Sequence, residues 1–250
     1  MLEQLPVSPE TFAFALLGAF CLGFSKAGFP GLALVNVVIM AELFGARASV
    51  GIILPLLILC DIAVYPLFAR YASWREAGPL VGITALGVLA GYLILDQLGA
   101  TATRRALGMV VLLMLALQIL RQSRPGTLSH LAGSQAFRWW CGSLMGTATM
   151  IANAAAPAYA IYALVNRFTK EQFLGIGARC FLVINLFKAP LMLDLDLINR
   201  NSLTLDLWLI PGLALGIGIG RLAIQRIPQK LFEALLYLFS AVAGLRLTFF

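Results

Sequence analysis

The sequence predicts an all-α polytopic membrane protein made of two homologous halves, and its composition and apolar runs lead to this fold class. Of the 250 residues, 61% are hydrophobic and only 12% are charged, whereas soluble domains carry about 25% charged residues. Uncharged runs such as residues 78–95 recur along the chain, and about 20 apolar residues span a bilayer as a helix. We therefore expect a protein that crosses the membrane several times.

The two halves are indicated by an internal repeat on either side of a polar stretch. Residues 121–138, RQSRPGTLSHLAGSQAFR, are the longest polar stretch and are interpreted as a linker. It separates a first membrane repeat at 1–120 from a second at 139–250. The segment GIILPLLILCDIAVYP at 51–66 aligns with GIGARCFLVINLFKAP, which lies 124 positions later. Duplication on this scale is typical of membrane transporters.

Each half opens with an apolar run of unusual length. Residues 11–41 carry one charge, Lys26, and residues 139–166 carry none. As single helices these runs would measure roughly 42–46 Å at 1.5 Å per residue. That is too long for one crossing of a ~30 Å hydrocarbon core and too short for two. The residues expected to break the helices are Gly28, Pro30 and Gly31 in the first run and Asn153 and Pro157 in the second. We predict that each half is a broken, re-entrant helical hairpin followed by three transmembrane helices.

The charges of the loops indicate opposite orientations for the two halves. The arginine-bearing linker is expected in the cytoplasm, because basic loops stay on that side. One loop of the first half is net positive, whereas its counterpart in the second half is net negative. These loops hold Arg70, Arg75 and Glu76 in the first half and Asp194, Asp196, Arg200 and Asp206 in the second. Equivalent loops on opposite faces predict inverted repeats, with the N-terminus outside.

Lys26 is the first candidate binding residue, because it is a lone cation at the break of the first hairpin. The glycines around it allow the backbone to approach a ligand closely. The N-terminus of the following half-helix offers free N–H groups, which suit anions. From this hairpin we take Ser25, Lys26, Gly28 and Gly31 as candidate substrate-binding residues. The alternative is that Lys26 snorkels to the membrane interface at a tight turn.

The second hairpin contributes neutral hydrogen-bonding groups in the segment GTATMIANAAAP at 146–157. Thr147, Thr149 and Asn153 are its candidate substrate-binding residues, and the small alanines around them let helices and a substrate come close. Small residues with threonine also mark ordinary helix packing in membranes, and that alternative stays open.

Three further polar residues lie in the third helical segment of the two halves. Asp61 and Asn185 occupy equivalent positions of the repeat, and Lys188 follows Asn185 on the same helix face. Ionisable groups in a membrane usually mark a substrate path or a proton relay, and a carboxylate away from water takes up a proton more readily. Asp61 is therefore the candidate proton-coupling residue, and Asn185 and Lys188 are candidate substrate-binding residues. Alternatively, Asp61 forms a static salt bridge with Lys26 or Lys188. Arg179 lies on the opposite face from Lys188 and is expected to reach another helix or the interface.

No motif typical of an enzyme or a metal site is present in the sequence. GxSxG, HExxH and P-loop motifs are absent, the single histidine His130 lies in the linker, and the four cysteines lie apart in apolar segments. We expect no catalytic residue, no metal site and no cofactor. The net charge of +7 is explained by basic loops at a membrane, so we expect no nucleic acid. The expected partners are a small anionic substrate and the lipid bilayer, and a homodimer is also allowed.

Several segments of both halves match one family pattern in their order and spacing. They are GARASVGIILPLLILCDIAVYPLFARYASW at 45–74, TMIANAAAPAYAIY at 149–162, FLVINLFKAP at 181–190, LALGIGIGRL at 213–222 and RIPQKLFEALLYLFSAVAGLRL at 226–247. With these segments the chain resembles the TauE/SafE family of sulfite and organosulfonate exporters. The resemblance implies an all-helical inner-membrane transporter with duplicated halves that moves small sulfur-containing anions. We expect a secondary transporter coupled to protons; the alternatives are a passive anion channel and a non-transporting membrane assembly protein.

Overall fold

Helices make up nearly all of the chain that the computed structural model describes. The described residues are 7–26, 32–123 and 131–223, with Ala241, Leu245, Thr248 and Phe249 near the C-terminus, and none of them lies in a β-strand. The helices are α1 (Pro9–Lys26), α2 (Leu32–Phe44), α3 (Ala46–Phe68), α4 (Trp74–Gln97), α5 (Ala100–Ser123), α6 (Gln135–Ala152), α7 (Ala156–Val165), α8 (Lys170–Asp194) and α9 (Arg200–Ala223).

Capping residues set the beginnings of two long helices. The Ser73 backbone N–H donates to the Glu76 carboxylate at 2.7 Å before α4, and the Thr169 N–H donates to the Gln172 side chain at 3.1 Å before α8. Both are capping boxes, in which the cap side chain also faces the backbone of the third helical residue. Each box satisfies N–H groups that a helix start otherwise leaves unpaired.

Four of the described helical segments are long and apolar enough to cross a membrane. They are Ala46–Tyr71, Trp74–Gln97, Glu171–Asp194 and Arg200–Leu222. Large apolar side chains such as Leu93, Leu207 and Leu222 remain exposed on their outer faces, as lipid-facing residues would. The prediction of an all-helical, multi-pass membrane protein is confirmed.

Each half opens with a pair of helices that are separated by a short break. In the second half α6 ends at Ala152 and α7 begins at Ala156, so the break falls at Asn153, as predicted. In the first half α1 ends at Lys26 and α2 begins at Leu32. Gly28, Pro30 and Gly31 lie outside the described residues. The ten residues of α7 measure only about 15 Å, which is too short to span the hydrocarbon core.

Three long helices follow the first hairpin, and two of the three expected after the second are described. Helices α3, α4 and α5 follow the first pair, and α8 and α9 follow the second. The third helix expected after the second hairpin follows α9 in the chain, and residues 224–250 lie almost entirely outside the described residues. Helices α5 and α6 also extend into the predicted linker at 121–138 from its two ends, because α5 continues to Ser123 and α6 begins at Gln135.

Helices α3 and α8, which are equivalent in the repeat, cross each other in antiparallel directions. A Cβ atom added to Gly51 near the start of α3 would lie 2.1 Å from the Leu197 carbonyl oxygen, beyond the end of α8. A Cβ added to Gly175 near the start of α8 would lie 2.7 Å from the Ala72 nitrogen, beyond the end of α3. Only glycine permits such close backbone approach, so these two glycines fix both ends of the crossing.

A second pair of equivalent contacts joins each half to the other. A Cβ at Gly23 of α1 would lie 2.2 Å from the Leu213 carbonyl oxygen of α9, and a Cβ at Gly146 of α6 would lie 2.1 Å from the Thr84 carbonyl oxygen of α4. Thus the first helix of each half packs closely against the fourth helix of the other half. These paired contacts are those that two related halves would make, while inversion of the repeats stays a prediction.

The position of Asp206 differs from the sequence-based interpretation. It was assigned with Asp194, Asp196 and Arg200 to an acidic loop, but Asp206 lies within α9 and is only 4% exposed. The connection between α8 and α9 covers only residues 195–199. The interpretation was wrong for Asp206 because it used only the net charge of the segment. Net charge does not indicate which residues lie in a helix or which helix face they occupy.

Candidate anion-binding site

The Asp61 carboxylate lies in the middle of the crossing between α3 and α8. Its side chain is 1% exposed. One oxygen accepts from the Lys26 ammonium at 2.5 Å, and the other accepts from the Asn185 amide at 2.6 Å. Since Asp61 and Asn185 are equivalent in the repeat, their contact lies where the corresponding helices of the two halves meet.

Lys26 is the last residue of α1, and its ammonium points into the helix bundle. The side chain is 17% exposed, and the ammonium lies 5.0 Å from the centre of the Phe181 ring. A cation is favourable at the C-terminus of a helix and over an aromatic face. The Lys26 ammonium thus faces the protein interior. Its pairing with Asp61 is the contact that the static salt-bridge alternative expects.

Lys188 on α8 is completely buried and bonds to neutral oxygens. Its ammonium donates to the Thr149 carbonyl at 2.8 Å, the Thr149 hydroxyl at 3.2 Å and the Asn153 side-chain oxygen at 2.5 Å. An ammonium has three N–H donors, so these three acceptors match its full capacity. The Thr149 carbonyl belongs to the last turn of α6, where a cation offsets the negative end of the helix dipole.

Asn153 ends α6 in a left-handed backbone conformation, with φ at 52° and ψ at 30°. Asparagine is one of the few residues besides glycine that adopts this conformation readily. Its backbone N–H bonds back to the Thr149 carbonyl at 3.0 Å, and its side-chain amide donates to the Val50 carbonyl of α3 at 3.0 Å. The break at Asn153 is therefore tied to both Lys188 and the first half of the chain.

Six of the predicted site residues thus gather in two adjoining groups, which we call the site cluster. The cluster consists of Lys26, Asp61, Asn185, Lys188, Thr149 and Asn153. Asn185 and Lys188 lie one turn apart on α8 and connect the two groups. Two lysines and one aspartate leave the cluster with one uncompensated positive charge when all three are ionised, an arrangement that favours an anion.

The remaining predicted site residues lie elsewhere or outside the described residues. The Thr147 hydroxyl donates to the Gly87 carbonyl of α4 at 3.2 Å, which is ordinary helix packing. Ser25 is buried in α1 beside Lys26. Gly28 and Gly31 lie outside the residues that the structure describes.

Arg179 reaches a different helix, as its position on α8 predicted. One of its guanidinium nitrogens donates to the Ala69 carbonyl at the end of α3, and the guanidinium lies 5.3 Å from the Trp74 ring and 5.9 Å from the Tyr65 ring. Arg179 therefore binds the C-terminal end of α3 and is not part of the site cluster.

Three features were not predicted from the sequence: the Phe181 ring beside Lys26, and the burial of the polar side chains of Asn36 and Asp206. Phe181 supplies the ring under Lys26, and its position one turn before Asn185 on α8 was the available signal. Asn36 and Asp206 are buried polar side chains for which the described residues supply no hydrogen-bond partner. Asn36 was overlooked because it is the lone uncharged polar residue of an apolar run, which resembles an ordinary core position.

The family comparison agrees with this architecture. A family model described as sulfite exporter TauE/SafE matches residues 15–247 of the chain, a range that begins within α1 and includes α2, α6, α7 and the whole site cluster. Neither a curated protein nor a solved structure matches the chain. The family name describes membrane transporters for sulfur-containing anions. The chain belongs to the TauE/SafE sulfite exporter family.

Proposed function

We propose that the protein is a secondary transporter that binds a small sulfur-containing oxyanion, such as sulfite or a sulfonate, at the Lys26 end of the site cluster. The observation that carries this proposal is the Lys26 ammonium held at the end of a broken helix, beside Asp61 and Asn185, deep within the bundle. An ionisable group at such depth is costly and usually serves a substrate path.

The two lysines have different parts in this proposal. All three donors of Lys188 have protein acceptors, so Lys188 holds the end of α6 and adds charge from a distance. Lys26 donates to the Asp61 carboxylate, and in this proposal the other N–H donors of its ammonium bind the oxyanion. The Asn185 amide, beside it, is the neutral donor that would turn to the anion.

Proton coupling follows from the competition between the anion and Asp61 for the same ammonium. While Asp61 is ionised, it occupies Lys26 at 2.5 Å and repels an incoming anion. A proton on Asp61 removes both effects, so that the proton and the anion bind together. The two would therefore move in the same direction, and anion affinity would increase as the pH is lowered.

Alternating access is proposed to use the relation between the two halves. Inverted repeats place their broken helices near a common axis at the bilayer midplane. The antiparallel crossing of α3 and α8 and the paired contacts at Gly23 and Gly146 support this arrangement, and the membrane that we propose for it is the inner membrane. Rocking one half against the other around Asp61 and Asn185 would expose the site to each side in turn.

Flux measurements with the purified protein in liposomes test this function. We expect saturable uptake of labelled sulfite that an imposed pH gradient accelerates, with sulfonates, thiosulfate and small carboxylates as competitors to define the substrate. Ohmic current without saturation would indicate a channel instead, and absence of flux for every anion would favour a membrane assembly protein.

The Asp61→Asn variant tests the coupling step separately. The neutral amide should leave Lys26 permanently available, so anion binding should lose its pH dependence and resemble wild-type binding at low pH. Calorimetric titration at several pH values measures this, with a sulfonate beside sulfite because the charge of a sulfonate does not change near neutral pH. An unchanged pH dependence in Asp61→Asn would refute coupling through this residue while leaving anion transport itself intact.

A further inference from the structure

A second buried carboxyl, Asp206, lies on the inner face of α9. The residues that share this face are Ser202, Leu205, Leu209 and Leu213, all of them buried. Neither oxygen of the Asp206 carboxyl has a hydrogen-bond partner among the described residues. Asp61, in contrast, has a donor on each of its oxygens.

An ionised carboxylate in such surroundings is unfavourable. Moving an isolated ionised carboxylate from water to an apolar interior costs far more free energy than moving a neutral polar group that lacks a hydrogen-bond partner. The group avoids the larger cost by carrying a proton. Asp61 avoids it differently, through the Lys26 ammonium.

Among the described residues, no charged group at the same end of the neighbouring helices forms an ion pair with Asp206. They are Glu10 at the start of α1, Glu42 near the end of α2, Arg47 at the start of α3, and Asp196 and Arg200 before and at the start of α9. The Arg47 guanidinium is committed to the Leu95 and Leu98 carbonyls, at 2.7 and 2.8 Å. The remaining cation, Arg200, is exposed and lies on the first turn of α9.

A cavity opens beside the turn of α9 that precedes Asp206. It has a volume of about 210 Å³ and is lined by Ser202 and Leu205 of α9, among other residues. Asp206 follows Leu205 directly and lies one turn after Ser202. Asn199 and Asn201, which are exposed, also line the cavity. Its volume exceeds that of several waters at ~30 Å³ each, so water can approach within a turn of the carboxyl.

We infer that Asp206 is a second proton-binding site, distinct from Asp61, which holds a proton at neutral pH and exchanges it with water in the cavity beside Ser202. The proton leaves a carboxyl oxygen for a cavity water and returns by the same route. The two carboxyl groups therefore differ in charge: Asp61 is ionised and paired with Lys26, and Asp206 is neutral.

Infrared spectroscopy of the purified protein tests this inference without reference to transport. At pH 7 the wild-type protein should show a carboxylic-acid C=O stretching band that is lost in Asp206→Asn and kept in the matched control Asp61→Asn. Raising the pH should remove the band from the wild type. A band that persists unchanged in Asp206→Asn, or no such band in the wild type at pH 7, would overturn the proposal.

The Asp206→Leu variant adds a measurement that does not depend on the spectrum. Replacing an unpaired neutral carboxyl by an apolar side chain of similar size removes a buried polar group, so the Tm should stay constant or increase. A lower Tm in Asp206→Leu would mean that the carboxyl is ionised and stabilised by a partner, which would contradict the inference.

Discussion

In the first half of the chain the ammonium at the break of the hairpin comes from the hairpin itself, whereas in the second half it comes from a neighbouring helix. Gly23 and Gly146 make the same close helix contact, and three residues after them come Lys26 and Thr149. The second half replaces this lysine by threonine and supplies the charge from Lys188 of α8, which donates to Thr149. Both halves thus bring a cation to the C-terminus of their first helix.

The ammonium groups of Lys26 and Lys188 lie at equivalent helix ends, but their hydrogen-bond partners differ. Lys26 faces a carboxylate and retains some exposure, while Lys188 faces neutral oxygens and has none. An ion pair with spare donors can exchange its partner for a ligand, whereas a saturated ammonium fixes the atoms that it binds. In the proposed function, the break of the first hairpin serves anion binding and the break of the second serves structural support.

Replacing Lys26 should have the largest effect. In Lys26→Gln the anion loses its cation, and a hydrogen bond to a charged group is worth about 1.5–3 kcal/mol, or roughly 10- to 100-fold in affinity. The variant also leaves Asp61 without a counter-ion, at a cost of about 3–5 kcal/mol in stability for a buried pair. Calorimetric titration with sulfite and thermal unfolding measure the two effects.

The double variant Lys26→Gln/Asp61→Asn is the control for this prediction. With both charges removed, stability should largely recover while anion binding stays lost. Wild-type sulfite affinity in either variant would mean that the anion binds away from Lys26. The proposed difference in role between the breaks of the first and second hairpins would then be wrong.

Replacing Lys188 should affect stability more than affinity. Lys188→Gln leaves buried acceptors at Thr149 and Asn153 unpaired, at about 1–3 kcal/mol for each. We expect a lower Tm than for the wild type, with a smaller loss of sulfite affinity in the folded protein than Lys26→Gln causes. If both variants lose affinity equally, the two lysines share one role and the comparison fails.

The paired glycine contacts should respond alike to substitution. A Cβ in Gly23→Ala or Gly146→Ala would lie 2.2 or 2.1 Å from a carbonyl oxygen, and overpacking of this kind costs about 1–3 kcal/mol. Gly82→Ala on α4 is the control, because a Cβ there meets nothing within 4 Å. Thermal unfolding should show similar losses for the first two and none for Gly82→Ala. Markedly unequal losses at Gly23 and Gly146 would argue against equivalent halves.

The smallest effect is expected at Thr147. Thr147→Val removes a single hydrogen bond, to the Gly87 carbonyl, worth about 0.5–1.5 kcal/mol, and should leave sulfite affinity unchanged. Thr149→Val, two residues later, removes one of the Lys188 acceptors and should lower the Tm further. A loss of sulfite affinity in Thr147→Val would indicate that the Thr147 hydroxyl contributes to anion binding.

Much of the fold could be predicted because its signals are local. The length of the apolar runs predicts the spans, and the break at Asn153 follows from a polar residue among alanines that a left-handed turn accepts. The repeat offset identified Asp61 and Asn185 as equivalent before their contact was known. Each of these inferences needs only the neighbouring residues of one segment or a comparison of two segments.

The pairing of the polar side chains was decided by tertiary structure alone. Sequence spacing allowed Asp61 to pair with either Lys26 or Lys188, and only the crossing of α3 and α8 selects Lys26 and gives Lys188 to Thr149 and Asn153. The same holds for Thr147, which faces α4, and for Asp206, which faces inward. A hydrogen bond needs an approach of about 3 Å, and which atoms come that close depends on how helices far apart in the sequence pack together.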